Sequence, residues 1–249
     1  MSVGIRVLRF ELYSRLRSGQ HLVLYGPRGS GKSTLLAALH KRFIQAVVPC
    51  AISPATSCLD DITRTFAQAY PDVETASVTR RAARGKLWLA ADRQGGVLLL
   101  DHVTHVSTAM IGALRRLRGG IAGVLFAIDI EVERERKHMR SWRLATLSWQ
   151  MPATAPRRLR TMFRAHCVDI DIPFVGLDAE KQILRAAHGR PGWILQCVHL
   201  LELQRYWSNG KPIVPLLCAD TEIVLRMPDQ TDHLFRISIL GDYSAPSAK

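Results

Sequence analysis

Gly26-Pro27-Arg28-Gly29-Ser30-Gly31-Lys32-Ser33, followed by Thr34, is the stretch on which the reading of this chain turns. It matches G-x-x-x-x-G-K-[ST] in full, a pattern that has physical meaning only between a strand and a helix. Both neighbours are present: His21 to Tyr25 is a short apolar run that leads into the glycine, and Leu35, Leu36, Leu39 and Phe43 recur on one side of a helix after Lys32. The glycines let backbone N–H groups turn inward, and the helix adds the positive end of its dipole, so the segment is built to hold an anion. In such a loop Lys32 neutralises β- and γ-phosphate oxygens, while the Ser33 hydroxyl ligates Mg²⁺. The expected ligand is ATP with Mg²⁺, held by Gly26, Pro27, Arg28, Gly29, Ser30, Gly31, Lys32, Ser33 and Thr34.

Downstream, Val97-Leu98-Leu99-Leu100 follows Gly95-Gly96 and suits a strand buried on both faces of a parallel sheet. Asp101 stands at its carboxyl end, where a carboxylate completes the magnesium site. Many ATPases place a glutamate at the next position to orient the attacking water. Here the residue is His102, with His105 three positions on. Imidazole accepts a proton near neutral pH but differs from a carboxylate in reach and charge, so hydrolysis is expected to be slow, dependent on a partner or absent. His105 is read as a local packing or hydrogen-bonding residue.

The remaining periodicities alternate between strand and helix. Helices are expected over residues 5–17, around Leu59 to Ala69, and from Val78 to Asp92, with a strand from Ala46 to Ile52. Ser107 reads as the cap of a helix with core face Met110, Ile111, Leu114 and Leu117, and Ile121 to Ile128 as the next strand. A charged helix from Glu131 to Arg143 and a basic one from Arg157 to Arg164 precede Val168 to Val175, expected to close the sheet. The fold implied is α/β, a P-loop parallel sheet flanked by helices with ligands at the carboxyl ends of its strands. Past Gly176 the pattern becomes helical, with Asp178 as a cap, a Gly189-Arg190-Pro191-Gly192 turn and an apolar stripe from Trp193 to Tyr206. Residues 1–176 are therefore expected to form the core, 177–242 a small helical lid and 243–249 a flexible tail.

A length of 249 residues with 47% apolar and 22% charged composition excludes a large multidomain machine and a disordered chain. Lys+Arg number 34 against 21 Asp+Glu, and the net charge of +13 favours a polyanionic partner such as duplex DNA. The cations cluster: Arg80, Arg81, Arg84 and Lys86; Arg115, Arg116 and Arg118; Arg157, Arg158, Arg160 and Arg164. The five cysteines, Cys50, Cys58, Cys167, Cys197 and Cys218, have no metal-binding spacing and read as buried thiols of a reducing compartment. Arg6, Arg9 and Glu11 interrupt the apolar start, and no run reaches the length of a membrane span, so a cytoplasmic protein is expected.

On the phosphate loop, the Val97–His102 strand end, the Gly123–Asp129 strand and the Gly189-Arg190-Pro191-Gly192 turn, the chain resembles AAA+ ATPases, and among them the DNA-binding transposition ATPases of the TniB/TnsC type. The resemblance implies that Asp129 falls where such proteins carry the polar sensor of the γ-phosphate, with a helix cap as the other reading. It implies an arginine finger at Arg164, or else at Arg160, reaching a neighbour's ATP. The sensor arginine of the lid would fall at Gly192, which cannot serve, so either Arg190 two residues earlier contacts nucleotide in its stead or the lid senses nucleotide only weakly. The function implied is an ATP-dependent regulator that forms a homo-oligomer on duplex DNA, with ATP at subunit interfaces, and engages a transposase or other recombination protein. A STAND-type signalling switch and a helicase loader are the other functions this core serves.

Overall fold

The apolar residues of the central strands fall into two alternating sets, and each set meets its own layer of helices. In a computed structural model, which describes residues 3–53, 58–75, 78–103, 107, 109–110, 112–113, 122–130 and 147–226, five strands form one sheet in the order β2-β3-β4-β1-β5. They are β1 (His21–Gly26), β2 (Cys50–Ser53), β3 (Gly96–Leu100), β4 (Ala122–Asp129) and β5 (Leu147–Gln150). Every pairing is parallel. Leu22, Leu24, Val97, Leu99, Leu125 and Ala127 share a core with residues of α1 (Val3–Arg17) and α2 (Lys32–Gln45). Val23, Leu98, Leu100, Val124, Phe126 and Ile128 share the other with α3 (Leu59–Ala69) and α4 (Arg80–Gln94). Side chains of a strand alternate between faces, so β3, apolar at every position, and β4, apolar up to its last residue Asp129, are strands covered on both sides. The expected parallel P-loop sheet is the fold observed.

Close approach fixes one junction. A Cβ added at Gly123 on β4 would lie 2.2 Å from the Leu16 carbonyl oxygen, so the last turn of α1 rests directly on the strand backbone. The Ser107 cap is also seen: its Oγ accepts the Met110 N–H at 3.2 Å. Leu114, Arg115, Arg116, Leu117 and Arg118, expected in that helix, and the expected helix from Glu131 to Arg143 lie outside the described residues, as do His105 and the tail.

Two of the expected strands are placed differently. The strand closing the sheet is not Val168 to Val175 but Leu147–Gln150, whose Leu147 to Gln150 run beside Leu22 to Tyr25 of β1. This edge strand is only partly covered and alternates with polar Ser148 and Gln150, which dilutes its apolar signal. Val168 instead belongs to α5 (Pro156–Asp169), whose Leu159, Phe163 and Cys167 repeat at helical spacing. The second strand starts at Cys50 rather than Ala46, because α2 ends in a Schellman turn: Val48 N–H bonds to Phe43 O and Val47 N–H to Ile44 O, both at 3.0 Å. Val47 occupies the left-handed position at φ 54 with its side chain 90% exposed. A β-branched residue is strained there and packs against little, so Val47→Gly is expected to stabilise the protein by about 0.5–1 kcal/mol, after the greater freedom of glycine in the unfolded chain is subtracted. A urea midpoint that does not rise would refute this.

The chain divides into two compact units, Met1–Thr154 and Ala155–Lys249. The division precedes the boundary expected at residue 176, because Leu159, Phe163 and Cys167 of α5 pack in the core of the second unit. That core also takes Ile183 of α6 (Leu177–Ala186), Trp193, Ile194 and Val198 of α7 (Pro191–Leu201), and Leu217 of α8 (Val214–Arg226). Between α7 and α8 lie a 3₁₀ turn, Gln204–Tyr206, and an antiparallel ribbon of β6 (Trp207–Ser208) and β7 (Lys211–Pro212). The Gly189 to Gly192 segment expected as a turn starts a helix: Arg190 is the N-cap of α7 and Pro191 sits at N1, where its missing N–H costs nothing. No helix among the described residues is long and apolar enough to cross a membrane. Cys50, Cys167 and Cys197 are buried as expected, and burial pushes the thiols of Cys50 and Cys167 up to about 12 and about 11, where they are inert. Cys58 departs from that reading and is exposed.

Candidate functional site

The carboxyl ends of β1 and β4 meet in register, Gly26 opposite Asp129, and the phosphate loop springs from that point. A Cβ at Gly26 would come within 2.9 Å of Met151 Cβ and 3.1 Å of Ser30 Oγ, which restricts the first loop position to glycine. Gly31 adopts φ 93, the left-handed region, as N-cap of α2, and no side chain caps that helix. Leu35 N–H is the first to bond back, to Gly31 O at 3.0 Å, so the amides of the preceding turn keep the outward direction common to helix N-termini. Ser30 Oγ is buried and has no hydrogen-bond partner among the described residues. An orphaned buried hydroxyl beside an uncapped helix start, in a loop that takes left-handed φ at Gly29 and Gly31, fits phosphate oxygens as the missing acceptors.

Lys32 is 5% exposed, and its Nζ donates to the carbonyls of Gly26 and Pro27, each at 3.0 Å, so the ammonium is held at the loop's base. Ser33 and Thr34 are exposed on the first turn of α2. Asp101 is buried just past β3, where its N–H bonds to Ser53 O at 2.9 Å and its Oδ1 accepts the His102 N–H at 3.0 Å. His102 takes φ 43, a strained value for a side chain that size, and its ring stands between two carboxylates. Nε2 lies 4.0 Å from Asp101 Oδ2 and Nδ1 3.8 Å from Asp129 Oδ2. Asp129, 2% exposed, ion-pairs through Oδ1 with Lys32 Nζ, and its Oδ2 accepts Arg28 Nε at 3.0 Å. Arg28, Lys32, Asp101, His102 and Asp129 are thus one connected cluster.

The other expected site residues belong to the second unit and have partners there. Arg160 and Arg164, four residues apart on α5, converge on one buried carboxylate: Arg160 Nε lies 2.7 Å from Glu180 Oε1, and Arg164 donates from Nε and Nη2 to Oε2 at 3.0 and 2.9 Å. Both arginines stay about half exposed while Glu180 is 3% exposed. Arg190 is buried, and its guanidinium is held by Glu222 and the carbonyls of Ala186 and Ala187. Sequence reading missed both Glu180 and Glu222. Their one local signal is an acid on an otherwise apolar helix face, and the partner arginines stand 16 and 32 residues away.

The family described as AAA ATPase domain matches residues 5–166, more than half of the chain. No curated protein matches the sequence. Among solved structures, AMPPCP-bound DnaA from Aquifex aeolicus is 16% identical with a TM-score of 0.52, over 82% of this chain and 63% of that one. A DNA replication initiation factor is 15% identical with a TM-score of 0.55, over 82% and 62%. The replication initiator DnaA bound to AMPPCP and single-stranded DNA is 14% identical with a TM-score of 0.50, over 82% and 60%. At these identities the likeness is one of fold, and the chain spans less than two thirds of each of those proteins.

Proposed function

The chain belongs to the AAA ATPase domain family, and from that premise we propose that it binds ATP with Mg²⁺ in the Gly26–Thr34 loop, forms a homo-oligomer on duplex DNA with nucleotide at subunit interfaces, and presents the assembly to a transposase or other recombination protein in the manner of the TniB/TnsC type. The observation that carries the DNA part is α4. Arg80, Arg81, Arg84 and Lys86 occupy its first seven residues with no acid among them, in the same unit as the phosphate loop. Cations at a helix N-terminus oppose the helix dipole, an arrangement that an external polyanion relieves. Arg80 pairs with Asp60 at 2.7 Å and Lys86 Nζ donates to Glu74 O at 3.3 Å, while Arg81 beside them is exposed. Contacts of this kind go to phosphates and carry no sequence preference.

Within the site, Lys32 and the loop amides would hold the phosphates, and Ser33 and Asp101 would hold the metal. Magnesium-bound ATP supplies an electrophilic γ-phosphoryl group. His102, fixed between Asp101 and Asp129, orients water in place of the more usual glutamate, and turnover is slow as a result. Arg164 or Arg160 supplies the finger to a neighbouring subunit, which requires that it leave Glu180.

Fluorescence anisotropy with a labelled duplex tests the reading. Affinity is expected to fall by at least about tenfold between 50 and 200 mM salt, as counterion release at several phosphate contacts demands. It is also expected to rise with ATP over ADP and to drop when Arg81 and Arg84 are both changed to Glu. Binding indifferent to salt and nucleotide would sink the proposal, and ATP-dependent preference for single strands would point to a helicase loader instead.

A further inference from the structure

Asp129 stands where two cations of the phosphate loop converge. Lys32 Nζ pairs with its Oδ1 and Arg28 Nε reaches its Oδ2 at 3.0 Å, with Lys32 and Asp129 only 5% and 2% exposed. The placement is set by the sheet, because the pairing of Gly26 with Asp129 brings the end of β4 beside the first loop residue. Away from water, each of these charge pairs is stronger than at the surface. The geometry assigns Asp129 as an affinity-determining residue that competes with nucleotide phosphates for Lys32 and Arg28. The inference rests on the nucleotide reading given above. It concerns how tightly that site takes its ligand.

Charge explains the competition. Asp129 brings one negative charge against the two positive charges of Arg28 and Lys32 and pairs with both, so it offsets part of the attraction these cations offer a triphosphate. A ligand oxygen that draws on Lys32 must do so against the Asp129 carboxylate, and Arg28 reinforces the carboxylate's seat. Removing that one charge while keeping the side chain's shape leaves the loop cations to the ligand. A mere brace for the loop predicts the opposite sign, since its loss would loosen the cradle and weaken binding.

Titration of the full chain with mant-ATP and Mg²⁺ separates the two. Asp129→Asn is expected to tighten uptake by about tenfold, equivalent to about 1.4 kcal/mol, and Asp129→Ser to tighten it in the same direction. Unchanged or weaker uptake in both variants, or the loss of cooperative melting in both, overturns the inference and leaves Asp129 as a brace. Natural protein with no saturable uptake refutes the nucleotide reading itself and this inference with it. Saturable natural uptake with no gain in either variant refutes this inference alone.

Discussion

Lys32→Ala is expected to weaken ATP uptake by at least about 100-fold. The ammonium is buried and held at the base of the loop by the carbonyls of Gly26 and Pro27, so a phosphate oxygen that displaces Asp129 meets a side chain with little freedom left to lose. A charge-assisted hydrogen bond in such a place contributes about 1.5–3 kcal/mol, and its upper range corresponds to two decades in affinity. The substitution has a second effect in the same direction. Asp129 loses Lys32 and keeps Arg28, so the site turns net negative and repels the ligand it is shaped to hold. The opposite signs expected for Lys32→Ala and Asp129→Asn make the pair a strict test, because a generally loosened loop would weaken both. Uptake by Lys32→Ala within threefold of the natural protein, with intact circular dichroism, would remove Lys32 from the site.

The contrast between Lys32 and Asp129 shows what a linear sequence reveals. Lys32 is legible because its chemistry is local: glycines, lysine and serine at fixed spacing between a strand and a helix dictate one cradle. Asp101 is legible for a similar reason, since β3 is apolar at every position and ends on it. The seat of Asp129 is not local, for its contact with Arg28 spans 101 residues and depends on the β1–β4 register. Partly covered elements are equally hard to see. Leu147–Gln150 is half exposed and lacks a continuous apolar run, so the alternating stretch from Val168 to Val175, which begins in the last residues of α5, is the stronger candidate for the last strand. At Val47 the apolar character suggested a strand, yet the residue finishes a helix in a conformation that its type resists.

Arg190→Ala is expected to destabilise the second unit by about 2 kcal/mol, the loss of charge-assisted hydrogen bonds from a buried guanidinium to the partly exposed Glu222. Arg190 is the sequence candidate for a nucleotide-sensing arginine, and the structure gives it a different set of partners. Nε donates to Ala187 O at 3.1 Å, Nη2 to Ala186 O at 3.4 Å, and the fork grips Glu222, whose Oε1 also accepts Trp193 Nε1 at 2.9 Å. The guanidinium therefore ties the end of α6 and the start of α7 to α8, which a lysine's point charge would not reproduce. Burial alone would raise the Glu222 carboxyl, but hydrogen bonding and charge from Arg190, aided by Trp193 and Arg226, hold it below its ordinary 4.5. A carboxyl depressed in the folded state contributes stability that is present above its unfolded pKa and is lost as pH falls through the folded one. The difference in urea stability between natural protein and Arg190→Ala should accordingly be full near neutral pH and shrink as pH drops below about 4.5. A variant with natural stability at neutral pH but a blunted response to ATP would overturn this assignment and return Arg190 to the nucleotide.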